Sequence, residues 1–329
     1  MPFRADIIAG RAVILVNIED TIDRQLRSIR TKLFNFSRSL RRVGTDLGLF
    51  GALGAAGSFF PIKEFVTFQD SILFLQTKLR DTEVDIDRLE KRIRELGRTT
   101  TFTSQQVAEA AVVLAQAGLG EAVEPTLLPT LDLARAGRVS PDFAGRLLAN
   151  VVQAYQVPSD QINKLASELI TGTRLGTTTI EELGESLKFV ITTARQLDIP
   201  REALIGIIVA LSNVSQRASR AGTSLNTALG KIAKEGEKIS ELFGFEVTQA
   251  DLDQPVRLFT KLADAVQGLD RQTIQTRLTD VFRIRGARSI GGILIQELGT
   301  LDKIIGKFRD SSNEAREAAE FMDSALGGS

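Results

Sequence analysis

The chain has 329 residues, 43% of them hydrophobic, and its 41 Lys and Arg residues balance 41 Asp and Glu residues. This composition is enough for one large or two ordinary globular domains. The lack of net positive charge argues against a dedicated nucleic-acid-binding protein, because neutralising phosphates requires a basic face. The chain contains neither Cys nor His, which excludes disulfides, thiolate metal sites and Ser-His-Asp or Cys-His catalysis.

The N-terminal region is basic and contains the one segment that we predict to be a β-strand. Residues 1–43 carry nine Arg or Lys and four Asp or Glu, a net charge of 9 − 4 = +5. Ala12–Ile18 is short and rich in β-branched residues, which is typical of a strand. The apolar run 12–16 is too short for the hydrophobic region of a secretory signal. We therefore expect at most one short strand here, followed by helix.

A heptad pattern follows the predicted strand. Hydrophobic residues recur at alternating steps of three and four, which is the spacing of a coiled-coil seam. The seam residues are Leu26, Ile29, Leu33, Phe36, Leu40 and Val43. A pattern of about three heptads leaves two interpretations open. One is an amphipathic helix docked on the protein's own core, and the other is a helix that associates with further copies or with a partner.

The next segment, 47–62, is uncharged and rich in glycine and alanine. Small residues at helical spacing allow helices to approach closely, as in membrane helix pairs. A spanning helix needs about 20 apolar residues, whereas this run has 16 and includes Pro61, which disfavours an uninterrupted helix. We favour a tightly packed or flexible segment and keep membrane insertion as the alternative. The residues that would insert are Leu47, Phe50, Leu53, Phe59 and Phe60.

The remainder of the chain predicts helices joined by short loops. Residues 67–98 are expected to form linker helices with a solvated charged face, ending at Gly97. Helix starts are indicated by Thr or Ser caps and by prolines, at Thr103, Ser140, Pro158, Thr179 and Pro200. Breaks are indicated by glycines, at Gly118, Gly137, Gly172 and Gly176. The prediction is an all-α helical bundle or array.

Four regions follow from these patterns. They are a strand with a basic heptad helix (1–46), the apolar segment (47–66), linker helices (67–98) and a helical core (99–329). No phosphate-binding loop, nucleophile elbow or calcium loop is present in the sequence. We therefore predict no catalytic, cofactor-binding or metal-ligating residues and a non-enzymatic protein.

Several segments resemble phage tail tape measure proteins. Leu96–Gly118 (LGRTTTFTSQQVAEAAVVLAQAG) is similar to the opening of the core domain of that family. Further similar segments follow in the family's order: Leu127–Ala136, Leu183–Ala194, Ile199–Asn213, Arg220–Ile232 (RAGTSLNTALGKI), Val281–Gly286 and Asn313–Leu326. Each segment alone is only a weak match to the family. The order of the segments across residues 95–329 is the specific part of the resemblance.

The resemblance implies a structural protein of the virion tail. Such proteins form an elongated oligomer, often a trimer, in the lumen of the tail tube, set its length during assembly in the host cytoplasm, and leave before the genome passes. The implied partners are further copies of the chain, the tail tube protein, tail assembly chaperones and tail tip proteins. The alternative function is a membrane-active tail component that inserts the apolar segment 47–62 during genome ejection. A cell-wall-degrading activity has no catalytic constellation to support it.

One departure from the family concerns length. Tape measure chains usually continue into long helices, whereas one uninterrupted helix of this chain's length would reach only about 490 Å. The sequence therefore predicts part of a longer tape, or the tape of a short tail. The many Gly and Pro breaks predict that the core is a compact module and that the heptad segment supplies extension.

Overall fold

We analysed a computed structural model, which describes residues 59–213, 218–232, 234–253, 255–292, 294 and 298–327. Throughout these residues the regular structure is helical and contains no β-strand, so the predicted all-α class is confirmed. The predicted strand Ala12–Ile18 lies outside the described residues. The packing described below belongs to one compact unit that begins at Val66.

The described helices are, in chain order, α1 (Phe59–Lys78), α2 (Ile86–Thr99), α3 (Ser104–Gln116), α4 (Val123–Gly137), α5 (Pro141–Tyr155), α6 (Ile162–Leu175), α7 (Ile180–Gln196), α8 (Arg201–Asn213), α9 (Ala218–Ile232), α10 (Gly236–Phe243), α11 (Gln249–Asp253), α12 (Pro255–Val266), α13 (Arg271–Gly292), α14 (Leu298–Asp310) and α15 (Glu314–Gly327). Short 3₁₀ helices precede α4 and α6, at Gly120–Ala122 and Ser159–Gln161.

The helix starts follow the predicted capping residues. The Thr103 hydroxyl accepts a hydrogen bond from the backbone N–H of Gln106, whose side chain accepts one from the backbone N–H of Thr103. Ser140 caps α5 with Pro141 at the first helical position. The Thr179 hydroxyl caps α7 in the same way. These caps satisfy backbone donors that have no partner within the helix, and the predicted starts are confirmed.

Two predicted glycine breaks are wrong. Helix α2 continues past Gly97 to Thr99, and Gly172 lies inside α6, which ends before Gly176. A Cβ at Gly97 would lie 2.6 Å from the Cα of Ser104, and one at Gly172 would lie 3.1 Å from the side chain of Val209. Both glycines therefore permit close helix packing rather than ending a helix.

The expectation that Pro61 disfavours an uninterrupted helix over 47–62 stays a prediction, because residues 47–58 lie outside the described part of the chain. Helix α1 begins at Phe59 and continues through Pro61 to Lys78. Proline is tolerated in the first turn of a helix, because the backbone N–H groups there have no helical acceptor.

Hydrophobic side chains form two clusters within the compact unit. The smaller one joins α1, α2, α3 and the first half of α4. It includes Leu75, Leu89 and Ile93, all fully buried, and the Arg94 guanidinium covers the ring of Phe68 at 4.3 Å from its centre. The larger cluster extends from α4 to α15. The described helices thus pack through two apolar clusters, and α4 contributes residues to both.

Helix α8 is the centre of the larger cluster. Every residue from Ala203 to Ser212 is buried, and α8 packs against α6, α7, α9 and α14. A helix that is hydrophobic on all sides must be surrounded by other elements. The larger cluster is therefore built around α8, which α6, α7, α9 and α14 cover.

The tightest helix pair brings α7 against α9. A Cβ at Gly222 would lie 2.4 Å from the carbonyl oxygen of Ser186 and 2.6 Å from its Cα. Gly230, in the same helix, has nothing within 4 Å of the corresponding position. Gly222 and Gly230 thus lie in the same helix, and of the two only Gly222 lies close to another helix.

We expect Gly222→Ala to destabilise the protein by about 1–3 kcal/mol, because the added methyl group forces the two helix backbones apart. The matched variant Gly230→Ala should stabilise it by about 0.5–1 kcal/mol, because alanine favours the helix and meets no neighbour. Urea unfolding of the full chain measures both changes. Equal effects of the two substitutions would contradict the close contact between α7 and α9.

Candidate assembly surfaces

The predicted association seam and most of the predicted membrane-active residues lie outside the described part of the chain. These residues are Leu26, Ile29, Leu33, Phe36, Leu40, Val43, Leu47, Phe50 and Leu53. Phe59 and Phe60 are the first two residues of α1. The seam and the insertion segment therefore stay predictions.

The described residues contain no group of three or more Asp and Glu side chains arranged to hold a metal ion. Among the same residues, no helix is long and apolar enough to cross a membrane.

A groove of about 400 Å³ lies between α5 and α7. Its floor is apolar and includes Leu147, Val151, Leu187 and Ile191, and its rim is polar. Lys188 is the one titratable residue that lines it. A single lysine cannot provide the paired acid and base that hydrolytic enzymes use, so the groove suits packing of apolar groups better than catalysis.

The most buried charged pair joins α6 to the start of α8. The Arg201 guanidinium donates hydrogen bonds of 2.8 and 2.9 Å to the two carboxylate oxygens of Glu168, and a third of 3.1 Å to Glu202. Glu168 is fully buried and Arg201 is 8% exposed. Burial raises the pKa of Glu168 to about 7, while the hydrogen bonds and charge of Arg201 act to lower it. The pair therefore neutralises charge inside the bundle.

A second buried carboxylate lies where α15 packs on α4. Asp132 is 8% exposed, and its Oδ2 atom is buried without a hydrogen-bond partner. Burial raises the pKa of Asp132 to about 6; Arg316 lowers it, and Glu320 and Asp323 raise it. This contact, which we call the α15 contact, combines Asp132 and Arg135 of α4 with Arg316, Glu320 and Asp323 of α15.

Sequence reasoning missed these two buried carboxylates, Glu168 and Asp132. Glu168 and Arg201 are 33 positions apart, and Asp132 meets α15 residues far along the chain, so no local pattern pairs them. One signal was available: Glu168 falls between Leu165 and Leu169, and Asp132 between Leu131 and Leu133. An acid within a run of buried apolar residues indicates a buried, partnered or titrating group.

Comparison with known proteins places this helical bundle in a family. The family model described as phage-related minor tail protein matches residues 90–282, which is more than half of the chain. The match extends from α2 into α13 and includes the central helix α8. The chain therefore belongs to the phage-related minor tail proteins, a family of structural tail components, and the family resemblance predicted from Leu96–Gly118 onward is confirmed.

Two individual relatives of the chain are described as tape measure proteins. The chain is 22% identical over 300 residues to a probable tape measure protein of Escherichia phage P2, covering 88% of this chain and 37% of that protein. It is 23% identical over 321 residues to a tape measure protein of Pneumococcus phage Dp-1, covering 94% of this chain and 28% of that protein. The chain thus spans less than two fifths of the length of these relatives. No solved structure matches it.

Replacing either partner of the Glu168–Arg201 pair should destabilise the protein, but by different amounts. Glu168→Gln should destabilise the protein by about 3 kcal/mol, because Arg201 stays charged and loses its buried partner. The loss of stability should be smaller for Arg201→Gln, because Glu168 can take up a proton whereas an arginine cannot lose one. The pKa of the Glu168 carboxyl rises further in Arg201→Gln. The loss of stability caused by this substitution should therefore shrink as the pH falls from 8 to 5.5. Urea unfolding at both pH values measures this, and equal, pH-independent losses would contradict it.

Proposed function

We propose that this chain is part of a tape measure protein and contributes to setting tail tube length and to nucleating tail assembly. The observation that carries the proposal is the alignment with the two relatives named above, which takes up nearly all of this chain and only a minor part of each relative. The proposal further holds that the protein is not an enzyme.

The dimensions of the helices support a division of labour within the chain. The longest described helix, α13, has 22 residues and departs from helical geometry at Arg283. A straight helix of that length would reach only about 33 Å. A ruler needs extended helix, so we assign the bundle to a compact module and extension to heptad segments such as that of residues 22–43.

The proposed partners follow from this role. Further copies of the chain would associate through the heptad seam, as a homo-oligomer and specifically a trimer. The tail tube protein, the tail assembly chaperones and the tail tip proteins would bind the tape during assembly in the host cytoplasm, and the assembled protein would lie in the lumen of the tail. These partners are supported by the role that the resemblance to tape measure proteins implies.

Tail length in assembled particles tests the ruler role of the heptad helix. Removing residues 22–43 in frame should shorten the tail by about 33 Å, since 22 helical residues rise 1.5 Å each. A matched variant, Leu33→Asn with Leu40→Asn, keeps the number of residues and should keep tail length in whatever particles form. Electron microscopy measures both. Unchanged length after the deletion removes the ruler role from this helix.

The alternative proposal is that the apolar segment 47–62 acts on a membrane during ejection. Its support is an uncharged run of 16 residues next to a basic region. Under this proposal the full chain releases dye from anionic vesicles, Leu53→Asp abolishes the release, and Gln196→Asp, on an exposed position of α7, leaves it intact. Absence of release by the unmodified chain rejects the membrane role without affecting the structural one.

A further inference from the structure

Helix α15 is attached to the bundle by few apolar contacts. It packs against α4 and α6, and among its side chains up to residue 325, whose burial the structure describes, the buried ones are the alanines Ala315 and Ala319. A buried methyl group contributes far less than a buried Leu or Phe side chain. The largest apolar side chain of α15, Phe321, is 74% exposed. Apolar burial alone therefore holds α15 weakly.

Polar contacts supply the rest of the attachment. The Arg135 guanidinium of α4 binds the Asp323 carboxylate at 2.5 Å and donates a second hydrogen bond, of 3.0 Å, to the carbonyl oxygen of Met322. At the other end of α15, the backbone N–H of Ala315 donates to the Ser167 hydroxyl of α6 at 3.4 Å. The two ends of α15 are thus tied to two different helices.

The charges between α4 and α15 do not balance. Three carboxylates meet there, Asp132 from α4 and Glu320 and Asp323 from α15, and two arginines face them, Arg135 and Arg316. Asp323 is bound to Arg135, and Glu320 is bound to Arg316 at 2.8 Å. Asp132 is left without an ion-pair partner, and its Oδ2 atom is buried and unbonded.

Helix α6 packs against both α4 and α15, but the charges that act on Asp132 are those of Arg316, Glu320 and Asp323, none of which belongs to α6. Glu168 follows Ser167 in α6 and is bound by Arg201 of α8. A proton on Asp132 is therefore the remaining way to bring the α15 contact to neutrality. Burying an unpaired, ionised carboxylate costs free energy, and such a group usually takes up a proton instead.

We propose that α15 is a strap gated by the protonation of Asp132: it closes on α4 and α6 when this carboxyl is protonated and loosens when it is ionised. The strap opens as a unit because residues 311–313 separate it from α14. Opening exposes the face of α4 and α6 that carries Asp132, Arg135 and Ser167.

The direction of the pH dependence follows from burial. The pKa of Asp132 is raised from 3.8 to about 6 in the closed strap, whereas an open strap leaves the carboxyl in water near its ordinary value. The closed form therefore holds its proton over a pH range in which the open form has lost it. Closure is strongest below about pH 4 and weakens until the pH passes about 6, above which no further loss occurs.

Hydrogen exchange of the full chain tests the strap. Protection factors of the α15 amides, corrected for intrinsic exchange rates, should fall about tenfold between pH 5 and pH 7.5. Amides of α8 should keep their protection over the same range. In Asp132→Asn, a neutral side chain of the same shape, α15 should stay protected at pH 7.5 and lose the pH dependence.

The matched control is Glu317→Gln, which removes the same charge from an exposed position of α15. It should retain the tenfold fall. The proposal is overturned if α15 protection does not change with pH, if Asp132→Asn retains the dependence, or if α8 loses protection in parallel with α15. The titration of the unmodified chain decides the first and third points even if the Asp132→Asn variant does not fold.

Discussion

The burial of α8 on all sides from Ala203 to Ser212 is the constraint on which the rest of this fold depends. A ten-residue run from Ala203 to Ser212 has no solvated side, so other helices must cover it in every direction. Helices α6, α7, α9 and α14 do so. Arg201 at the start of the same helix is buried too, and Glu168 neutralises it. Hydrophobic covering and charge compensation are thus two consequences of placing one helix at the centre.

Close backbone approach is the second requirement of this packing. Gly172 faces Val209 of the central helix, Gly222 faces the backbone of Ser186, and Gly97 faces Ser104. None of these three glycines has a positive φ, so their conformational freedom is not what the fold uses. They provide room, which explains why glycines that suggest helix ends in the sequence lie within helices in the structure.

The bundle and the proposed ruler have opposite physical needs. A compact module buries apolar surface on many short helices, whereas a ruler requires long helices whose apolar seam is covered by copies of the same chain. The family match covers residues 90–282 of the bundle, and the heptad seam lies before them in the sequence. Helix α15 departs from the pattern of the bundle, since ion pairs and hydrogen bonds supplement the burial of its alanines.

Local patterns in the sequence determined the helical class, the capped helix starts and the family resemblance. Each depends on residues close together in the chain, such as Thr103 with Gln106, or on the order of short motifs. Only the tertiary structure decided which glycines are contacts, that Arg201 neutralises Glu168, and that Asp132 faces α15. These partners are far apart in the sequence, and burial by distant helices, which no local pattern contains, sets their energies.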